Sequence, residues 1–303
     1  MIYTVTFNPA IDYTVELSTL RTGAVNRCTS EYITFGGKGL NVSALPTELG
    51  IDNKALGFSA GFTGKAIEQE LERAGIPCDF IHLPNGNSRI NVKIKADEET
   101  EINGNGPEVT GDELDQLLIK LHQVNSGDIV VLAGSIPPSV PQDIYERILQ
   151  IISNRSAEAV VDTQGELLAS VLRFKPFLIK PNHHELEELY GEKIHSEDQL
   201  TELAQGLRRA GARNVLVSLA QYGSLLVSED DTVHRLEACT GEVVSSVGAG
   251  DSMLAGFLAG YLKSKDYVFS HMLAAACGAA TAFSRGIAKR ELIFELFRRY
   301  NDR

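Results

Sequence analysis

What the chain lacks narrows the reading first. Its four cysteines, Cys28, Cys78, Cys239 and Cys277, stand alone without a C-x-x-C pair. That spacing suits neither a zinc site nor a disulfide framework, and it fits a reducing, cytoplasmic setting. No apolar run is long enough to span a bilayer; the longest, Met272 to Phe283, is short and rich in small residues. The segment Met1 to Phe7 carries no basic residue, so a first strand is expected there, not a signal peptide. Positive charge is scarce: the formal net charge is -12, which argues against nucleic acid as a partner. No Gly-Lys-Ser or Gly-Lys-Thr occurs, so there is no P-loop. No dinucleotide fingerprint follows the first strand, which disfavours a nicotinamide dehydrogenase.

What is present looks globular. Hydrophobic residues make up 43% and charged residues 22% of 303 residues, enough to bury a large core. The first third reads as strands at 2–7, 11–17 and 27–35, a loop at 36–39, and a helix over 41–49 that Pro46 should kink or shorten. A strand at 55–58 and a helix at 64–74 follow. Residues 89–96 alternate, with Arg89, Asn91, Lys93 and Lys95 on one face and Ile90, Val92 and Ile94 on the other. With 101–105 they make hairpin material. From Thr110 on, amphipathic helices alternate with short β-branched runs, which indicates a parallel sheet covered on both faces. The last third adds a hairpin at 224–237 and helices at 251–263, 268–284 and 289–300. One α/β domain over 1–303 is expected, with a small β lid from strands within 11–35 and 88–106.

Several segments carry chemistry, each with a bland alternative. At Gly248-Ala249-Gly250-Asp251, a strand-like run (242–247) ends in a small-residue turn and a helix begins at Asp251. Such a turn offers unpaired amides to an anion, and Asp251 is either a proton acceptor or an ordinary helix cap. Asp12, after Asn8-Pro9, either accepts hydrogen bonds from sugar hydroxyls or is solvated. Gly36-Gly37-Lys38-Gly39 permits close approach of a ligand and an ion pair from Lys38, with Asn41 behind it; a flexible loop is the alternative. Arg89 and Lys93 form a local basic patch or a solvated sheet face. Ser135, in Gly134-Ser135-Ile136-Pro137-Pro138, either touches substrate or sits in a proline-stiffened connector. Asn182 and Glu185 have capping-pair spacing, or hold Mg²⁺ through water. His183 and His184 are adjacent and should point apart. Ser218 to Gly223 ends a strand with a turn that could border a nucleotide.

The order of these segments resembles the ribokinase/PfkB carbohydrate kinase family, from near residue 1 to about residue 286. Within it, Arg89-Ile90-Asn91-Val92-Lys93 resembles the bacterial 1-phosphofructokinase branch. The resemblance implies a three-layer α/β/α sandwich with a β lid, and transfer from ATP, with Mg²⁺, to fructose 1-phosphate giving fructose 1,6-bisphosphate. Tagatose 6-phosphate and fructose 6-phosphate are the alternative acceptors, and a non-catalytic sugar-phosphate sensor is the alternative of another class. The resemblance implies Asp251 as base, with Gly248, Ala249 and Gly250 as an anion hole. It puts Asp12, Gly37, Lys38, Asn41, Arg89, Lys93 and Ser135 at the sugar phosphate. Lys180, Asn182 and Glu185 fall near the ATP phosphates and Mg²⁺, and Ser218, Ala220, Gly223, Cys277 and Ser284 at the nucleotide. It also implies a homodimer paired through the lid. Ala220 departs from the family's usual glycine. Asp251, beside a helix N-terminus, is expected to stay ionised at neutral pH as a weak base.

Overall fold

The computed structural model describes residues 1–302. Its frame is a sheet of nine strands: β1 (Ile2–Thr6), β4 (Asn53–Ala60), β5 (Cys78–Leu83), β8 (Ile129–Ala133), β9 (Glu158–Asp162), β10 (Leu178–Ile179), β11 (Asn214–Ser218), β12 (Ser224–Val227) and β13 (Val233–Leu236). Their order is β13-β12-β11-β10-β9-β8-β1-β4-β5, and all pairings from β11 to β5 are parallel. Strand β8 shows why the sequence chooses this arrangement. Every residue of Ile129-Val130-Val131-Leu132-Ala133 is apolar and buried. Val130 and Leu132 enter one core, and Ile129, Val131 and Ala133 enter the core on the opposite face. A strand apolar on both sides is stable only between two layers.

Helices supply those layers. On one side lie α3 (Gly111–Leu121), α4 (Ile144–Asn154) and α7 (Glu197–Ala210), which bury Leu117, Ile148 and Leu203. On the other lie α1 (Lys38–Glu48), α8 (Ala249–Ser264), α9 (Tyr267–Ala282) and α10 (Arg290–Asn301), which bury Val42, Phe257, Ala276 and Ile293. Helices α2 (Gly61–Arg73), α5 (Gly165–Val171) and α6 (His183–Tyr190) complete the chain. The expected three-layer α/β/α arrangement is what forms.

The lid is a second sheet of β2 (Ala10–Glu16), β3 (Ser30–Gly36), β6 (Arg89–Lys95) and β7 (Glu99–Asn103), ordered β3-β2-β6-β7. Its register aligns Thr34, Asp12, Asn91 and Asn103 in one row, and Ile33, Tyr13, Val92 and Ile102 in the next. Residues opposite one another share a face, and successive rows alternate. The polar face holds Asn91 buried, while Ile33, Ile90 and Ile102 on the apolar face are 53%, 42% and 58% exposed. The alternative of a wholly solvated polar face does not hold at Asn91, and the lid turns Ile33, Ile90 and Ile102 to solvent.

Other differences have local causes. Residues 242–247 form no strand, because no ladder partner lies beside them; Val243, Val244 and Val247 are exposed. The backbone there is tied by the Val244 and Ser245 amides, which donate to the Ala282 carbonyl, and by two local turn bonds, from the Val247 amide to the Ser245 Oγ and from the Ala249 amide to the Ser246 carbonyl. Strand β5, at the sheet edge, went unforeseen because its short apolar run lies between prolines. Helix α1 starts at Lys38, so half of the expected glycine loop is helical. Pro46 lies in the last turn of α1, which runs on to Glu48, with the Leu49 amide donating to the Leu45 carbonyl.

Ala220 opens a 3-10 turn after β11 with φ of 50°. That left-handed conformation costs a residue bearing a Cβ about 1–2 kcal/mol. Ala220→Gly should therefore raise stability by about 1 kcal/mol, part of the relief being lost to the freer unfolded chain. Thermal unfolding checks it; an unchanged or lower Tm contradicts the strain.

Candidate active site

The functional segments gather because parallel strands end together. At or just beyond the C-terminal ends of β1, β8, β9, β10 and β11 stand Asn8, Gly134, Asp162, Lys180 and Ser218. Ligands of open α/β sheets bind at this edge. Helices α1 and α8 start over the same edge. Gly37 caps α1 at φ 133°, and a Cβ on Gly39 would lie 2.3 Å from the Thr6 Oγ1. Only glycine lets α1 lie this close to β1, and this brings Lys38 and Asn41 over the edge.

Asp251 sits in the first turn of α8 and is 7% exposed. The Asn41 side chain donates from Nδ2 to its Oδ2 at 2.8 Å. Gly248 caps the helix in the left-handed region at φ 77°, with no side chain closing the turn. Among the described residues the amides of Gly248, Gly250 and Asp251 have no acceptor. The Ala249 amide donates to the Ser246 carbonyl at 3.3 Å, so the expected trio of free amides is corrected at that position. Burial pushes the Asp251 carboxyl up to about 6, and the charge of Asp162 pushes the same way. The Asn41 hydrogen bond, Lys180 and Lys38 oppose both. Burial thus outweighs the helix start that was expected to keep the carboxyl low, although at about 6 it stays largely ionised at neutral pH as expected.

Asp162 was not singled out from sequence, yet the site converges on it. It is 1% exposed at the end of β9, and its Oδ1 lies 3.5 Å from the Lys38 Nζ and 3.6 Å from the Lys180 Nζ. Its Oδ2 is buried without a partner. A lone acid ending a Val-Val run at the C-terminal edge of a parallel strand was the available signal. Lys180 is 6% exposed and reaches under α8, where a Cβ on Gly250 would be 3.2 Å from its Nζ. Burial draws the Lys38 ammonium down, but Asp162, Asp251 and Glu185 outweigh it and hold it above its usual value.

A second cluster lines the lid. Asn91 donates from Nδ2 to the Asp12 Oδ1 at 2.8 Å, and the Lys93 Nζ lies 3.3 Å from the Asp12 Oδ2 and 3.7 Å from Glu101. Lys93 is thus paired within the lid. Burial lowers the Arg89 guanidinium from its usual value while Asp12 supports it, and its Nε is buried without a partner. Arg89 is the cation of this patch left open to an anion.

The remaining expected residues divide. Ser135 is exposed just beyond β8, after Gly134, whose amide donates to the Asp162 carbonyl. Asn182 and Glu185 form a reciprocal capping box at 2.8 and 2.9 Å. The Ser218 amide donates to the Pro181 carbonyl, and Gly223 must be glycine because a Cβ would lie 2.0 Å from the Leu236 carbonyl oxygen. Ser284 spends its hydroxyl on the Ala280 carbonyl. Cys277 is corrected: it is fully buried against Gly256, burial pushes its thiol up, and its side chain offers no exposed surface to a nucleotide. His183 and His184 do not point apart; their ring centroids are 3.8 Å apart.

A fold with its ligand edge at the strand ends, and a buried carboxylate beside free amides and paired lysines, fits a phosphotransferase class. Comparison with known proteins narrows it. The pattern of the pfkB family carbohydrate kinases matches residues 5–291. The chain is 42% identical to the 1-phosphofructokinase of Bacillus subtilis over 98% of this chain and 97% of that one. It is 36% identical to the D-tagatose-1-phosphate kinase of Bacillus licheniformis, over 95% and 94%. A putative phosphofructokinase of Staphylococcus aureus superposes with a TM-score of 0.86 at 40% identity, over 98% and 97% of the two chains. The chain therefore belongs to the pfkB family of carbohydrate kinases. It is a sugar-phosphate kinase with the ribokinase-like fold.

The raised Asp251 carboxyl has two consequences. Wild-type kcat/KM should fall as pH drops through about 6. Because folding raises this carboxyl, burying its charge costs stability above about 6, and the cost vanishes below the unfolded value of 3.8. Asp251→Asn should thus melt at or above the wild-type temperature at pH 8, with the gap closing on acidification. Melting curves across pH check this, and a variant less stable at pH 8 than at pH 5 relative to wild type contradicts it.

Proposed function

We propose that the protein transfers the γ-phosphoryl group of ATP to the free primary hydroxyl of fructose 1-phosphate, giving fructose 1,6-bisphosphate. The observation that carries this reading is the buried Asp251 carboxylate, held by Asn41 at 2.8 Å beside unpaired amides at the start of α8. Asp251 accepts the hydroxyl proton as the new P–O bond forms, and a loose transition state asks little of the base before that point. The amides of Gly248 and Gly250 hold the oxygens of the transferring group. Lys38 and Lys180 balance its charge. Asp12, Gly37 and Asn41 orient the sugar, with Arg89, Lys93 and Ser135 toward its existing phosphate. Asn182, Ser218, Ala220, Gly223 and Ser284 border the nucleotide.

Mg²⁺ fits this donor set without a protein cage. Among the described residues no group of three or more His, Cys, Asp or Glu encloses a metal site. Glu185 spends one carboxylate oxygen on the Asn182 amide and keeps the other, which suits an ion held through water and substrate phosphates. When bound, Mg²⁺ would neutralise phosphate charge.

The lid closes one kinase domain and excludes water. Its exposed isoleucines, Ile33, Ile90 and Ile102, fit the lid of a second copy, because exposed apolar faces of this kind seek a partner. The homodimer reading predicts twice the chain's 32.9 kDa by light scattering at assay concentration. A monomeric mass rejects it. Among the described residues no helix is long and apolar enough to cross a membrane. With four free cysteines, a cytoplasmic setting fits.

A second reading is favoured by the relative that acts on the 1-phosphate of tagatose. That name moves the expected tagatose alternative from the 6-phosphate to the 1-phosphate. An ADP-release assay across fructose 1-phosphate, tagatose 1-phosphate, fructose 6-phosphate and tagatose 6-phosphate should show the highest kcat/KM for fructose 1-phosphate. Arg89→Ala should raise KM for that substrate by a factor on the order of ten or more, from the loss of a charged contact. Preference for a 6-phosphate, or an unchanged KM in the variant, contradicts the assignment.

A further inference from the structure

Four buried or half-buried charges meet at the edge of the sheet. Asp162 is 1% exposed, Lys180 6% and Asp251 7%, and the Lys38 side chain is 40% exposed. Two ammonium groups approach a single oxygen, the Asp162 Oδ1, at 3.5 and 3.6 Å. Without that carboxylate they would repel one another and swing apart, since each sits on a flexible stem. The stems come from different parts of the fold, Lys38 from α1 and Lys180 from the end of β10. Asp162 also lies within electrostatic reach of both Lys38 in the proposed clamp and the proposed base Asp251.

We propose that Asp162 is a positioning residue: it gathers Lys38 and Lys180 into one clamp and screens the base Asp251 from both. The inference rests on reading Asp251 as the base. Asp162 itself takes no proton in the reaction. Both lysines meet it through Oδ1 alone, and among the described residues its buried Oδ2 has no partner. The groups facing Asp251 are Asp162 on β9, Lys180 beyond β10, and Lys38 and Asn41 on α1. Those facing Asp162 are the two lysines and Asp251, with the Tyr145 hydroxyl of α4 also within its field. Glu185 acts on the cluster through Lys38. Removing the charge of Asp162 leaves two cations facing Asp251 with one fewer acid beside it. The cations then favour the Asp251 anion, and the base weakens.

The test is the pH profile of kcat/KM for fructose 1-phosphate, measured on full-length protein. The substrates' own phosphate ionisations are common to every profile and cancel in the comparison. Asp162→Asn should move the acid limb to lower pH by about one unit and lower the plateau by a factor on the order of ten. Asp162→Glu, which restores the charge, should keep the limb near its wild-type position. Lys180→Met, which leaves Asp162 in place, should move the limb upward, so the sign of the effect is tested even if Asp162→Asn folds poorly. A purely structural role would lower activity without moving the limb. An unmoved limb in Asp162→Asn, or in Lys180→Met if the former does not fold, overturns the inference. If Asp251→Asn keeps full activity, the underlying reading of the base fails instead, and the two failures are distinct.

Discussion

The interaction on which the rest depends is the hydrogen bond from Asn41 to Asp251. It joins helix α1, near the N-terminus of the chain, to helix α8, 210 residues later. The bond exists because Gly37 and Gly39 let α1 settle on β1, and because Gly248 turns the backbone into α8 with no side chain in the way. A Cβ at Gly39 would strike Thr6 and lift α1 away. The carboxylate would then lose the hydrogen bond from Asn41, and Lys38 would leave the edge of the sheet. The small residues of this protein are thus placed where two helix starts must approach one strand edge.

The site is an example of stability given up for chemistry. A buried carboxylate beside a second buried acid is unfavourable for the fold. Two lysines and an asparagine offset part of that cost, and the remainder appears as a carboxyl raised to about 6. The helix start by itself would have produced a weaker base. Burial sets the value, and burial follows from the packing of α8 between α1 and α9 and not from the turn sequence.

The reading from sequence alone was strongest where periodicity and punctuation agree. The all-apolar runs at β8 and β11 between amphipathic helices specify a sandwiched parallel sheet, and the alternation at Arg89 to Lys95 specifies a lid strand. The turn at Gly248 was legible because two glycines before an acid leave few other geometries. Besides edge strand β5, three things were not legible. Residues 242–247 are as β-prone as a strand, but strand formation depends on a partner that the sheet does not supply there. Asp162 carries no motif of its own; its importance comes from two lysines, 124 and 18 residues away in sequence, that fold onto one of its oxygens. Cys277 lies on a helix that borders the site, and only packing shows that its thiol faces Gly256 and the core.

The central claim is that Asp251 takes the proton during phosphoryl transfer. Its most direct test is the transfer step itself, followed by rapid quench with labelled ATP under single-turnover conditions in Asp251→Asn. The account predicts a transfer rate lower by a factor on the order of 10² or more, with ATP and fructose 1-phosphate binding little changed. A transfer rate equal to that of the wild type, with both substrates bound, would contradict it.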